Sequence, residues 1–131
     1  MINSQAFDYI NVMDRAADAS YLRETVLSNN ISNVDTPQYK RQDVNFEDVL
    51  KNKLMEFGNG TKSMDQRVAA LNTDDLNAVQ YVDAPMFSYR LDKNNVDIDT
   101  ENVELASEQL RYQAITTSVS NDFSRLKAVL K

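Results

Sequence analysis

The 131-residue chain has no cysteine, no histidine and no tryptophan, and only two glycines and two prolines. Without cysteine there can be no disulfide and no thiolate metal site, and without histidine the commonest general base and the commonest metal ligand are both missing. These absences argue against an enzyme, and no GxGxxG, P-loop, HExxH or GxSxG pattern offers another route to chemistry. Carboxylates remain, but Asp97-Ile98-Asp99-Thr100-Glu101 lacks the glycine that an EF-hand loop needs at its sixth place. No catalytic residue, cofactor, metal or small-molecule substrate is expected. Nor is there a run of apolar residues long enough to span a bilayer, and Met1-Ile2-Asn3-Ser4-Gln5-Ala6-Phe7-Asp8 has no basic segment leading into an apolar core, so no cleaved signal peptide is expected.

Charge is unevenly placed. The chain carries a net −6, while residues 65–108 alone hold ten acids against three bases, a net −7. Positive charge gathers only at Lys40-Arg41 and at Arg125, Lys127 and Lys131, too little for a phosphate-binding face, so nucleic acid is not an expected partner. The acidic middle reads as a solvated surface.

A hydrophobic fraction of 42% with so few glycines and prolines favours long helices. From Phe7 to Ile31 the apolar and small residues Phe7, Ile10, Met13, Ala16, Ala17, Leu22, Val26, Leu27 and Ile31 fit one broad helical stripe. Residues 40–57 read as an extended lead-in followed by a short helix with Phe46, Val49, Leu50, Leu54 and Phe57 on one side, ended by Gly58-Asn59-Gly60. From 61 to 95 the chain is acidic and polar. Within it Val79-Gln80-Tyr81-Val82 and Met86-Phe87-Ser88-Tyr89-Arg90-Leu91 alternate like two strands of a hairpin around Pro85, in the segment expected to be the most flexible.

The last helix is expected to start at Asp99 as cap, with Ile98 and Val103 as a hydrophobic staple and Asp97 as the competing cap. Beyond it Leu105, Tyr112, Val119 and Leu126 recur every seven residues, with Ile115, Phe123 and Leu130 on the same side. Val103, Ala106, Leu110 and Ala114 form a second strip. The fold class that follows is mainly α. Long N- and C-terminal amphipathic helices pack as a helical hairpin or coiled coil around a partly flexible middle holding a short β-hairpin. Four regions result: 1–34, a core helix; 35–46, a turn and extension; 47–95, the middle; and 96–131, a second core helix. Either both strips of the last helix are internal to a monomeric bundle, or one serves the first helix and the other a neighbouring subunit.

The first helix is closed by an unusually dense stop, Asn29-Asn30-Ile31-Ser32-Asn33-Val34-Asp35-Thr36-Pro37-Gln38-Tyr39-Lys40. Asparagine bonds its own backbone and tolerates the left-handed region, and Pro37 pushes Thr36 out of the helical region, so the helix should end near Asn33. This string resembles the N-terminal signature of the flagellar axial proteins, the rod, hook and hook-associated family. The matching residues are Asn29, Asn30, Asn33, Asp35, Thr36, Pro37 and Tyr39; Gln38 stands where many members have glycine, and Ser32 where many have alanine. A matching far end, Asn95-Val96-Asp97-Ile98-Asp99 followed by Glu108-Gln109-Leu110-Arg111-Tyr112-Gln113-Ala114, resembles the lead-in and core of the family's last helix. The likeness covers roughly residues 8–46 and 94–131, and the Lys40-Arg41-Gln42-Asp43-Val44-Asn45-Phe46 extension is most like that of a proximal-rod subunit.

The resemblance implies a non-enzymatic subunit of the bacterial flagellar basal-body rod, exported by the flagellar type III apparatus and stacked helically, with its terminal helices lining a tube. It implies as partners further copies of the chain, other rod proteins, and adaptor and membrane-ring or export-gate components at the rod base. Ile10, Met13, Ala17, Leu27, Leu105, Leu110, Tyr112, Ile115, Val119, Phe123 and Leu126 are the residues expected to carry helix assembly. A soluble helical adaptor or export chaperone is the rival reading, since helical hairpins suit both tasks.

Overall fold

The computed structural model describes residues 4–57, 62–84, 86, 88 and 90–130, with side chains from residue 7 onward. Two helices dominate: α1, Ser4–Ser32, and α4, Ile98–Val129. Between them lie β1 (Gln42–Asn45), α2 (Glu47–Glu56), α3 (Met64–Ala70), a single 3-10 turn at Thr73–Asp75, and β2 (Val79–Val82). At 29 and 32 residues, α1 and α4 each extend for more than about 40 Å. They lie antiparallel: Asn30 meets Glu101, Ser20 meets Glu108, and Tyr9 and Ile10 share a depression with Leu126 and Val129.

The stop acts where the residues place it. α1 ends at Ser32, and the Asn33 amide still reaches the carbonyls of Asn29 and Asn30 at 3.1 Å before the chain turns. The start of α4 differs from expectation. Asp97 is the cap, its carboxylate accepting from the amides of Asp99 and Thr100 at 3.0 and 3.4 Å, because Asp97 holds the extended backbone a cap requires and Asp99 is already helical. Ile98 and Val103 are both exposed, so the expected staple is absent.

The expected hairpin around Pro85 is also replaced. β2 pairs antiparallel with β1, Gln42 opposite Val82 and Asn45 opposite Val79, so its partner comes from just after the turn and not from residues 86–91. Arg90 and Leu91 lie outside any strand, while Pro85, Phe87 and Tyr89 lie outside the described residues, as do Gly58, Asn59 and Gly60, the expected stop of α2. In the middle α3 opens on a capping box: Ser63 accepts from the Gln66 amide, and the Gln66 side chain accepts from the Ser63 amide.

This middle segment supplies the core. Ala19 of α1, Phe46 and Leu76 form its centre, flanked by Val12, Ala16, Leu50, Leu71 and Ala78. α1 is therefore covered on two sides, by α4 and by the 46–78 excursion, which accounts for the breadth of its apolar stripe. α4 is covered on one side only.

Candidate assembly site

Asn30, Tyr39, Arg41 and Glu101 meet where α1 ends and α4 begins. Asn30 is fully buried and uses its whole side-chain amide. Its Nδ2 donates to the Gln42 carbonyl (2.8 Å) and to Glu101 Oε2 (2.9 Å), and its Oδ1 accepts from the Gln42 amide (3.0 Å) and the Tyr39 hydroxyl (3.1 Å). One asparagine thus ties the helix end, the returning strand and the second helix together. Burial, followed by the Glu101 charge, pushes the Tyr39 phenol above its ordinary value and keeps it a donor.

The other motif residues shape the turn itself. Asn33 Nδ2 donates back to the Asn29 carbonyl (2.8 Å), and the Thr36 hydroxyl donates to Asn33 Oδ1 (3.1 Å). Asn29, Asp35 and Pro37 are exposed. Gln38 has φ 64°, so the glycine-like left-handed position is retained without glycine, and its amide donates to the Asp92 carbonyl at 2.8 Å.

Asn94, which nothing in the sequence singles out, clamps that turn from the far side. It is fully buried; its Nδ2 faces the carbonyls of Asn33, Val34 and Thr36 at 2.8 to 3.0 Å, and its Oδ1 accepts from the Val96 amide at 2.7 Å. Arg90 adds a bond to the Val34 carbonyl at 2.7 Å. The polar ends of helix and turn, which would otherwise be orphaned on burial, are satisfied by side chains from the lead-in to α4.

From this clamp a chain of charges runs down the α1–α4 seam. Arg41 bonds to Glu101 and Glu104, to Asp83 at 2.9 Å and to Asp43 at 3.1 Å. Asp43 continues to Arg23 at 3.7 Å, and Arg23 reaches Glu47 at 2.6 Å and Glu108 at 3.4 Å. Ser20 donates to Glu108 at 2.6 Å, and Arg111 bonds to Glu47 at 2.6 Å. Burial opposes the charge on Arg41, but its hydrogen bond to Glu101 and the surrounding carboxylates hold its pKa above the ordinary value. Burial, with the charges of Glu101 and Asp43, pushes the Glu104 carboxyl up against the pull of Arg41. Hydrogen bonds from Arg23 bring Glu47 down to about 2.

Glu101 and Glu108 are the buried residues of α4, one heptad apart. Part of the acidic stretch is therefore internal and paired, not a solvated surface as its composition implies. Buried ion pairs add little net stability, yet losing one partner is costly because it leaves an uncompensated buried charge.

The residues expected to carry helix assembly divide between two faces. Ile10 and Leu27 are buried; Met13, Ala17, Leu105, Ile115, Val119 and Leu126 are partly covered at the hairpin interface; and Tyr112 stacks obliquely on Tyr21 at 6.4 Å between ring centres. Phe123, expected on this face, remains 51% exposed. Leu110 belongs to the opposite strip, where it is 68% exposed beside Val103 at 70%, with Ala106 and Ala114 also open. Among the described residues no group of three or more acids could hold a metal ion, and no helix is long and apolar enough to cross a membrane.

No protein-family model matches the chain. It is 33% identical over 121 residues to the flagellar basal body rod protein FlgB of Bacillus subtilis, covering 92% of each chain. The FlgB of Borrelia hermsii is 31% identical, with 93% of this chain and 95% of the relative covered, and that of Escherichia coli is 32% identical over 83% of each. The likeness runs through the middle segment as well as the two ends, and with it the chain belongs to the FlgB family, structural proteins of the flagellar basal body rod.

Proposed function

We propose that this chain is a subunit at the proximal end of the flagellar rod, polymerising through its terminal helices with copies of itself and with other rod proteins, and meeting adaptor and membrane-ring components at the rod base. On this reading it leaves the cell interior through the flagellar type III apparatus without a cleaved signal. The observation that carries the reading is the uncovered strip of Val103, Ala106, Leu110 and Ala114 on a helix that is otherwise anchored and capped. An apolar strip along one side of a long helix marks a contact surface, and a heterologous contact that does not close yields a helical stack.

Leu110→Asp in a strain lacking the native chain is expected to abolish basal-body rods and swimming, because the new charge would have to be desolvated without a partner on assembly. The isolated variant should keep its helicity, since position 110 faces solvent in the subunit. Asp75→Ala, also at an exposed position, serves as the tolerated control. Normal rods with Leu110→Asp would reject the strip as a rod contact. An adaptor or chaperone, by contrast, would form a small closed complex whose size does not grow with concentration.

A further inference from the structure

A second uncovered apolar surface lies on a different side of the molecule. α1, α2, α3 and the flank of α4 enclose a groove of about 480 Å³ lined by Ala16, Phe46, Leu50, Leu54, Met64 and Ile115. Its rim is basic. Arg67 Nε is buried there without a hydrogen-bond partner, and neither Arg67 nor Lys51 makes an ion pair among the described residues, whereas Arg111 is already engaged by Glu47. The unpaired charges of Arg67 and Lys51 suit a carboxylate laid across the groove, which would form charge-assisted hydrogen bonds with them.

The exposed strip of α4 has the complementary chemistry. One turn before Val103 the same helical face carries Asp99, which is exposed and makes no ion pair among the described residues, so the strip reads Asp99, Val103, Ala106, Leu110, Ala114. Its apolar part spans about 16 Å, and the ten residues of α2 that wall the groove span about 15 Å. The strip lies on the side of α4 opposite Glu101 and Glu108, so it cannot reach the groove of its own chain.

We infer that the groove receives the Asp99–Ala114 strip of a second copy of this chain, with Asp99 facing Arg67 and Lys51. This rests on the rod-subunit reading and names the acceptor for its strip. Donor and acceptor are different surfaces, so each bound copy presents a fresh groove to the next, the condition for open-ended stacking.

The absence of native cysteine permits a direct test. Ala106→Cys and Met55→Cys, both at exposed positions, are placed in separate copies of the full chain, mixed in solution and also co-expressed in flagellated cells, and oxidised. A disulfide joining Ala106→Cys to Met55→Cys is expected to exceed either self-linked product. Adding Asp99→Lys should lower it about fivefold, and adding Arg67→Glu to the partner copy should restore it. Self-linkage of Ala106→Cys alone, or no link to the groove in basal bodies that have assembled, overturns the inference. If Leu110→Asp blocks rods while no strip-to-groove link forms, only the groove assignment fails; if Leu110→Asp rods assemble normally, the rod-contact reading itself fails.

Discussion

The two ends of the α1–α4 hairpin are held by different kinds of force. At the turn end, Leu27, Asn30, Asn94 and Val96 are all at most 1% exposed, and nearly every bond there is directional: an amide clamp, a spent asparagine, a guanidinium among four carboxylates. At the far end Ile10 is buried, but Phe7, Phe123, Val129 and Leu130 are between 41% and 83% exposed. Directional bonds fix alignment; partly covered apolar contacts permit sliding and re-pairing. The subunit is therefore fixed where the chain turns and leaves apolar area in reserve at the opposite end.

The most damaging change should be at the charged hub. Arg41→Ala strands Glu101, whose side chain is 1% exposed, and is expected to lower unfolding free energy by about 3–5 kcal/mol, read by denaturant titration. Leu27→Ala and Leu126→Ala then compare the two ends directly. The first is fully buried and the second only partly, so losses of about 3 and about 1 kcal/mol are expected; equal losses would mean that the far end is as tightly held as the turn. Gln38→Gly should raise stability by about 1 kcal/mol by relieving a side chain in the left-handed region.

The smallest effect concerns pH. Glu47 has a folded pKa lowered to about 2, so its contribution is fully present above the unfolded carboxylate value of about 4.3 and is lost as pH falls through the folded one. With its side chain 56% exposed, solvent screening holds that contribution below about 1 kcal/mol. The stability difference between the native chain and Glu47→Gln should shrink between pH 5 and pH 2, while no such change is expected between pH 6 and pH 8.

Local chemistry was readable from the residues, and long-range pairing was not. Asn33 and Pro37 end α1 through their own backbone preferences, so its boundary follows from sequence. In the heptad of α4, Leu105, Val119 and Leu126 are partly covered, while Tyr112 meets Tyr21 of α1 and stays 36% exposed. Asp97 and Asp99 have the same chemistry two residues apart, and only the backbone path decides between them. Ser63-x-x-Gln66 is a legible capping box, although the polarity of the stretch around it suggests loop. Asn94, Arg41 and the β1–β2 pairing carry no local signal, because each depends on segments some 40 to 60 residues away. A charge destined for a buried ion pair looks, in sequence, like any solvated one.

The β1–β2 pairing makes the 46–78 excursion a closed detour: it departs beside Asn45 and returns at Val79, its direct partner. Because the ends are already joined, lengthening the chain within it adds only the slowly growing entropy of a larger loop, with each doubling costing about 0.6 kcal/mol. Evolution can thus graft, trim or decorate this detour while the hairpin keeps its alignment. The same scaffold could support subunits of very different size whose terminal helices remain interchangeable in geometry.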